Sequence, residues 1–501
     1  METLDLLLIG GRAIDPETGL DGTRNIGIRA GTIVHIGTDT PEATRTLDIT
    51  GRVITPGFID LHSHSQSING LRIQACDGVT TSLELEAGAA PIAPVYAAAE
   101  AEGRPINFGY SVDWRKIRMS VLDGIDIDGE DALGERAASL GAGIEDPKWL
   151  ELAESDALVD AVVARVEEEI RAGGIGIGAP VGYSPRSDRK EMLKMGRLAA
   201  DLDVPLFVHG RFAQYAEPGS SVEGALELIG VAAGTGANVH LCHINSSYGR
   251  DIHLVADAVA TAQAQGVRVT TEAYPYYAFS TAIGAPFLAP EELPRMPLKV
   301  ESFFHLPTGE YLTSIEQLAE LREKDPSATV IVEFLDPQNP EEMALLYTAV
   351  TFPDAAIASD AMWLQIGDRR TGDDVEKQWP LAPEVFAHPR TAGTFSRAIG
   401  HIGRELGLWS LNEAIRRCTL LPAQILEDCV PAMELKGRLQ IGCDADLTVF
   451  DPDTILDAAT FTEIKPSVGI DHVLVGGEFV LENGALLPEA HPGKALRSEV
   501  V

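Results

Sequence analysis

The stretch Pro56 to Ser65, PGFIDLHSHS, carries two histidines separated by one serine at the end of an apolar run. Residues two apart on a strand point to the same face, so His62 and His64 aim their imidazoles at one point. Neutral ring nitrogens that converge at the end of a buried strand suit a metal ion. On an exposed edge strand the same pair would carry no chemistry, so the other histidines decide. There are only 12 in 501 residues.

Upstream of this stretch, residues 1–55 hold short β segments between turns, including Leu6 to Ile9, which Gly10-Gly11 is expected to break. The far end of the chain has the same texture, with Asp446 to Phe450, Val468 to Val475 and Glu478 to Leu481. The middle alternates instead. Apolar strands such as Val79 to Leu85, Asn107 to Val112 and Pro205 to His209 are separated by helical patterns. Ser155 to Ala172 is the clearest of these, with Leu158, Val162, Val166 and Ile170 on one face. Repeated β-α units with apolar strands imply a parallel sheet covered by helices, and about eight of them favour a closed barrel.

The expected fold is therefore α/β: a (β/α)8 TIM-like barrel with a small β-sandwich domain formed from both chain ends. The boundaries read as 1–55 plus 430–501 for the small domain and 56–429 for the barrel. An insertion at about 285–350, rich in proline, interrupts the rhythm and is expected to cover the active-site end.

The formal charge of −36 makes nucleic acid or an anionic membrane an unfavourable partner. No run of about 20 apolar residues appears, so no membrane span is expected. The acidic residues near the N-terminus do not resemble a signal peptide. Five cysteines without a CxxC pair fit a reducing cytoplasm. The expectation is a cytoplasmic protein acting on a small molecule, with the oligomeric state open and a homo-oligomer allowed.

Chemistry in a (β/α) barrel is built at the C-terminal ends of the strands. His62 and His64 end the first strand, His209 ends PLFVHG, His243 ends NVHLCHI and Asp360 ends AAIASD. Each alone would be read as a hydrogen-bonded structural residue, but together they form a ligand set for a divalent ion, zinc most readily. His240 and His243 have opposite strand parity, and His243 is preferred because it lies nearer the strand end. A bridge between two ions needs an anion. The fourth-strand region, GGIGIGAPVGYSPR, has no lysine to carry one, whereas the second strand offers Glu84 and Glu86 in an otherwise apolar run. Two such carboxylates are costly to bury unless paired or metal-bound. They share parity, so pattern cannot choose between them; Glu86 is preferred because it lies closer to the strand's C-terminal end.

The order of motifs resembles the amidohydrolase superfamily, and within it the N-acyl-D-amino-acid deacylase (D-aminoacylase) group. The resembling pieces are PGFIDLHSHS, DGVTTSLELEAG, GGIGIGAPVGYSP, FVHGRF, HLCHINSS, EAYPYYAFST, AIASD, HPRTAGTF and KGRLQIGCDADLTVFDP, which span nearly the whole chain. The resemblance implies a zinc-dependent hydrolase of a C–N amide bond, with one or two ions per subunit. His62, His64, His209, His243 and Asp360 would hold the metal, and Asp360 would also act as the general base and acid. Tyr274 and Ser280 would contact the substrate or its oxyanion, and Arg390 would bind a substrate carboxylate. An N-acyl amino acid is the expected substrate. Cyclic-amide hydrolysis of the hydantoinase or dihydroorotase type and a catalytically silent barrel scaffold are the alternatives. The chain departs from the group at two positions. Where relatives have a metal-bridging cysteine after the second strand, it has Leu85-Glu86-Ala87-Gly88. Where they have a lysine two residues after the sixth-strand histidine, it has Asn245.

Overall fold

A computed structural model of the chain describes residues 3–127, 147–296 and 298–500. Eight parallel strands form its centre: β1 (Phe58–Asp60), β2 (Val79–Ala89), β3 (Asn107–Asp113), β4 (Ile177–Pro180), β5 (Leu206–His209), β6 (Val239–Leu241), β7 (Val269–Ala273) and β8 (Ala355–Ile357). Neighbours in the chain are neighbours in the sheet, from β1 through to β8. The ring closes just past β1 and β8, where Ser63 bridges Ala361 and the His64 N–H donates to the Ala361 carbonyl at 2.8 Å. The α/β barrel expected from the alternating pattern is the fold observed.

The helices form for ordinary reasons. Helix Asp156–Arg171 starts where the Ser155 side chain accepts from the Leu158 N–H, and it buries Val159, Val162, Val166 and Ile170 against the sheet. Helix Ser221–Thr235 is likewise capped by Ser220 and stopped by Gly236 at φ 80°. No helix among the described residues is long and apolar enough to cross a membrane.

Both chain ends contribute to one nine-stranded sheet, in which Val53–Pro56 pairs with Leu447–Phe450. Leu6, Leu8, Ile26, Ile33, Leu447 and Leu474 share its core. The first strand differs from the sequence expectation. It runs unbroken from Leu4 to Asp15, and Gly10-Gly11 forms a bulge with a register shift between Leu8 and Gly11. Gly10, at φ 80°, supplies the left-handed residue that lets the pairing resume. The sheet is tied to the barrel through Asp446, which accepts from the Asn107 amide at 2.9 Å and pairs with Lys436 at 2.6 Å.

The interruption of the barrel rhythm is a four-stranded sheet of Ala278–Ala282, Phe303–His305, Glu310–Tyr311 and Thr329–Glu333. It begins earlier than residue 285, because the chain leaves β7 through only a short turn at Tyr274–Tyr277. The expected insertion bounds reach to about 350, but helix Pro340–Val350 packs on the barrel, against helix Ile252–Ala264, β7 and β8. Phe279, Ser280, Thr281, Phe287 and Ser327 of this sheet and its loops roof the open end of the barrel.

Candidate metal centre

Every ligand expected from the sequence arrives at the same point. His62 Nε2 lies 3.4 Å from His64 Nε2, and both face Glu86 Oε2, at 3.4 and 3.6 Å. Asp360 Oδ1 lies 3.5 Å from His62 Nε2 and 3.4 Å from His64 Nε2. Donors around an ion at about 2.0–2.1 Å in a tetrahedron would lie about 3.3–3.4 Å apart, so His62, His64 and Asp360 have the spacing of three such ligands. A second group draws on the other Glu86 oxygen: Oε1 is 2.9 Å from His209 Nδ1 and 3.0 Å from His243 Nε2. Glu86 thus stands between all four histidines, while Glu84 does not.

Local backbone geometry makes this convergence. β2 pairs with β3 up to Glu84–Tyr110 and resumes only at Ala89–Val112, so the chain between them bulges and carries Glu86 over the barrel mouth. The glycine-rich fourth strand makes room for it. A Cβ on Gly178 would sit 2.6 Å from the Glu86 carbonyl oxygen, and one on Gly182 2.4 Å from the His209 ring. His243 and Asp360 follow β6 and β8 with φ of 34° and 50°. That region is strained for side chains other than glycine, and such strain concentrates at functional sites.

The outward-facing nitrogens are fixed as a metal site requires. His62 Nδ1–H donates to Glu272 Oε1 at 2.5 Å, and His64 Nδ1–H to Glu84 Oε2 at 2.6 Å. His243 Nδ1 meets the Ser247 hydroxyl at 2.9 Å. These partners set the tautomer that leaves each Nε2 lone pair pointing inward. Glu272 was not anticipated as part of the site, although it carries the same signal as Glu84 and Glu86, a carboxylate within a barrel strand. Its second oxygen binds His240 Nε2 at 3.2 Å, so His240 braces the site from behind while His243 faces it.

Charge points the same way. Burial alone would raise the Asp360 carboxyl, but Arg390 and His62 hold it well below the usual carboxylate range. Burial likewise opposes the ionised Glu86 and Glu272, but the histidines overcome it, keeping Glu86 well below its ordinary value and Glu272 at about 2. Burial would lower His64, yet Glu84 and Asp360 carry it up to about 10. Glu84, Glu86, Glu272 and Asp360 are all buried; Arg390 pairs with Asp360, and the remaining charge is met by protons on the histidines. A divalent cation can take the place of those protons, because a histidine binds metal in its neutral form. The donor set, its spacing and its charge all fit a divalent metal.

The expected substrate contacts divide. Ser280 lines the cavity, with its hydroxyl unpartnered. Arg390 is wholly buried; its Nη2 pairs with Asp360 Oδ2 at 3.0 Å and donates to the Ser280 carbonyl at 3.2 Å, and its Nε and Nη1 have no hydrogen-bond partner. The Tyr274 ring lies under that guanidinium at 4.7 Å, with its hydroxyl unpartnered. Asn245 accepts from the Tyr274 N–H, and its own amide nitrogen has no partner. The cavity over the metal centre measures about 210 Å³, with Tyr183, Phe279, Phe287, Leu298 and Trp363 as its apolar walls.

Comparison with known proteins agrees with this geometry. The profile of the amidohydrolase family matches residues 232–481. N-acyl-D-glutamate deacylase of Alcaligenes xylosoxydans xylosoxydans is 27% identical, across 99% of this chain and 97% of its own length. D-aminoacylase from the same organism is 28% identical, across 99% and 98%. In structure, N-acyl-D-glutamate deacylase of Bordetella bronchiseptica, crystallised with zinc and a phosphonate mimic of the tetrahedral intermediate, superposes with a TM-score of 0.75. It is 24% identical, and the match covers 99% of this chain and 100% of that one. A D-hydantoinase is more distant, with a TM-score of 0.60 at 16% identity, covering 99% of this chain and 100% of that one. With its barrel, its strand-end ligand order and these full-length likenesses, the chain belongs to the amidohydrolase family.

Proposed function

We propose that this protein is a zinc-dependent hydrolase that cleaves the amide bond of N-acyl amino acids. The observation that carries the reading is the cluster of His62, His64 and Asp360, 3.4 to 3.5 Å apart, with Glu86 at 3.4 and 3.6 Å from the two histidines, beneath a cavity sized for a small molecule. The full-length likeness to two deacylases of N-acylated amino acids supports the choice of substrate.

His62, His64 and Asp360, with Glu86, would hold one ion, and Glu86, His209 and His243 a second. A bound divalent ion supplies Lewis acidity, polarising an amide carbonyl and making water acidic near neutral pH. The rest of the chemistry belongs to the side chains. Asp360 is ionised and keeps one oxygen toward His62 and His64 while Arg390 fixes the other, so it can accept a proton at Oδ1 without rotating. The same carboxylate can return that proton to the departing amine nitrogen. The buried Ser280 hydroxyl, at the cavity wall without a partner, is a donor that a substrate oxygen could satisfy. Phe279, Phe287 and Trp363 exclude bulk water, which strengthens each of these contacts.

The test is metal analysis together with a substrate panel. Protein purified from zinc-containing medium should hold at least one equivalent of metal and hydrolyse some member of a set of N-acyl-D- and N-acyl-L-amino acids. Metallated protein that opens cyclic imides and leaves every linear amide intact would refute the linear-amide reading. Protein that binds no stoichiometric metal would point to a silent scaffold.

A further inference from the structure

The cavity has a second charged wall that metal chemistry does not use. Arg115 and Lys116 follow β3 directly, in the first turn of helix Trp114–Asp123, and both line the cavity with Glu84 and Gly88. Arg115 is 8% exposed. Its Nε is buried without a hydrogen-bond partner, and among the described residues its only ion pair is a long one to Asp113, at 3.5 Å. Lys116 is half-buried, and among the described residues its ammonium makes no hydrogen bond or ion pair. The neighbouring acids are already engaged. Asp113 accepts from the Lys116 backbone N–H at 2.9 Å, and Glu84 accepts from His64 and the Ala87 N–H. Two cations at the wall of a partly enclosed cavity, short of partners, are costly to keep unless an anion visits them.

Their position tells which end of a substrate they would meet. In a closed ring of eight strands, β3 and β7 stand opposite each other, and the metal centre lies between them. On the β7 side Ser280 lines the cavity, and the unpartnered groups of Asn245, Tyr274 and Arg390 lie buried behind that wall. An amide held at the centre with its amino-acid portion toward that side must direct its acyl portion toward Arg115 and Lys116. The third cation on the cavity wall, Arg370, is engaged otherwise, stacked 4.1 Å from the Trp363 ring and donating to the Ser327 carbonyl.

The geometry points to a carboxylate-binding subsite formed by Arg115 and Lys116, which selects N-acyl amino acids whose acyl group is itself an acid, such as succinyl. This inference rests on the amide-hydrolase reading and names its substrate class. A guanidinium can take a carboxylate with two parallel hydrogen bonds, and the neighbouring ammonium adds a third contact.

The test compares N-acetylglycine, N-succinylglycine and both enantiomers of N-acetylglutamate on the metallated full-length protein. The kcat/KM for N-succinylglycine should exceed that for N-acetylglycine by at least about 10-fold, the scale of one charge-assisted hydrogen bond, with the difference carried mainly by KM. Lys116→Met and Arg115→Met should each bring that ratio toward one, with metal content retained. Lys116 is the more exposed of the two, so its variant carries the test if Arg115→Met does not fold. Calorimetric binding of succinate and acetate to the metallated full-length protein should give the same ranking without turnover. Equal kcat/KM for the acetyl and succinyl compounds overturns the subsite and leaves amide hydrolysis standing. So does a succinyl preference that survives in both variants. A preference for N-acetylglutamate over N-succinylglycine overturns it too, by moving the carboxylate to the amino-acid side. If fully metallated protein turns over neither these compounds nor any member of the wider N-acyl amino acid set, the hydrolase reading is what fails, and the calorimetric ranking alone decides the subsite.

Discussion

Replacing Glu272 by glutamine probes the metal centre without touching any atom that would contact the metal. The wild-type carboxylate accepts from His62 Nδ1–H at 2.5 Å and from the His243 backbone N–H at 3.3 Å, while its other oxygen meets His240 at 3.2 Å. A glutamine can still accept from His62 through its carbonyl oxygen, so the ring orientation is kept. What is lost is the negative charge that makes Nε2 of His62 a stronger donor. Loss of such a partner behind a metal-bound histidine typically costs about 10–100-fold in metal affinity, or roughly 1.4–2.8 kcal/mol. Glu272→Leu should cost more and destabilise the fold as well, because the buried His62 N–H is then left without an acceptor, at about 1–3 kcal/mol. The assay is zinc competition against a chromogenic chelator, paired with thermal unfolding with and without metal. Glu272→Gln should show a weakened zinc constant and a smaller metal-induced rise in Tm. An unchanged zinc constant in a folded Glu272→Gln variant would refute the claim that this carboxylate tunes a metal ligand.

Other outcomes follow from the same geometry. Asp360→Asn preserves size but removes the proton acceptor, so kcat should fall by at least about 10²-fold; metal occupancy measured alongside separates a lost base from a lost ligand. Glu86→Gln should lose one equivalent of metal by elemental analysis, because a neutral amide cannot stand between two dications, whereas Glu84→Gln should weaken binding without changing stoichiometry. Gly182→Ala would place a methyl carbon 2.4 Å from His209 Cδ2, so the ring must move, and metal affinity and turnover should both drop while the far-UV spectrum stays unchanged. His209→Ala and His243→Ala should lower bound metal in the folded protein; unchanged metal content in both would remove the second group of ligands.

Much of this centre was legible because strand geometry is a simple rule. The alternation of side chains brings His62 and His64 to one side, and the strand-end rule selects His209, His243 and Asp360. Where alternation stops, so does the sequence reading. Glu84 and Glu86 have equal parity, and only the bulge between Glu84 and Ala89 carries Glu86 over the mouth and leaves Glu84 behind His64. Parity separates His240 from His243 and nearness to the strand end favours His243, yet His243 lies beyond β6 in a left-handed turn, and it is that turn that aims it inward. Glu272 carried a readable signal, a carboxylate in a barrel strand, but its partners are 210 and 32 residues away in sequence. Arg115 and Lys116 illustrate the opposite case. A basic pair at a helix start is unremarkable as sequence, and it acquires meaning only where the closed ring sets β3 across the metal centre from β7. A selectivity element of that kind is a property of the barrel's closure, and it is there, more than in the ligand order, that this chain's substrate choice is written.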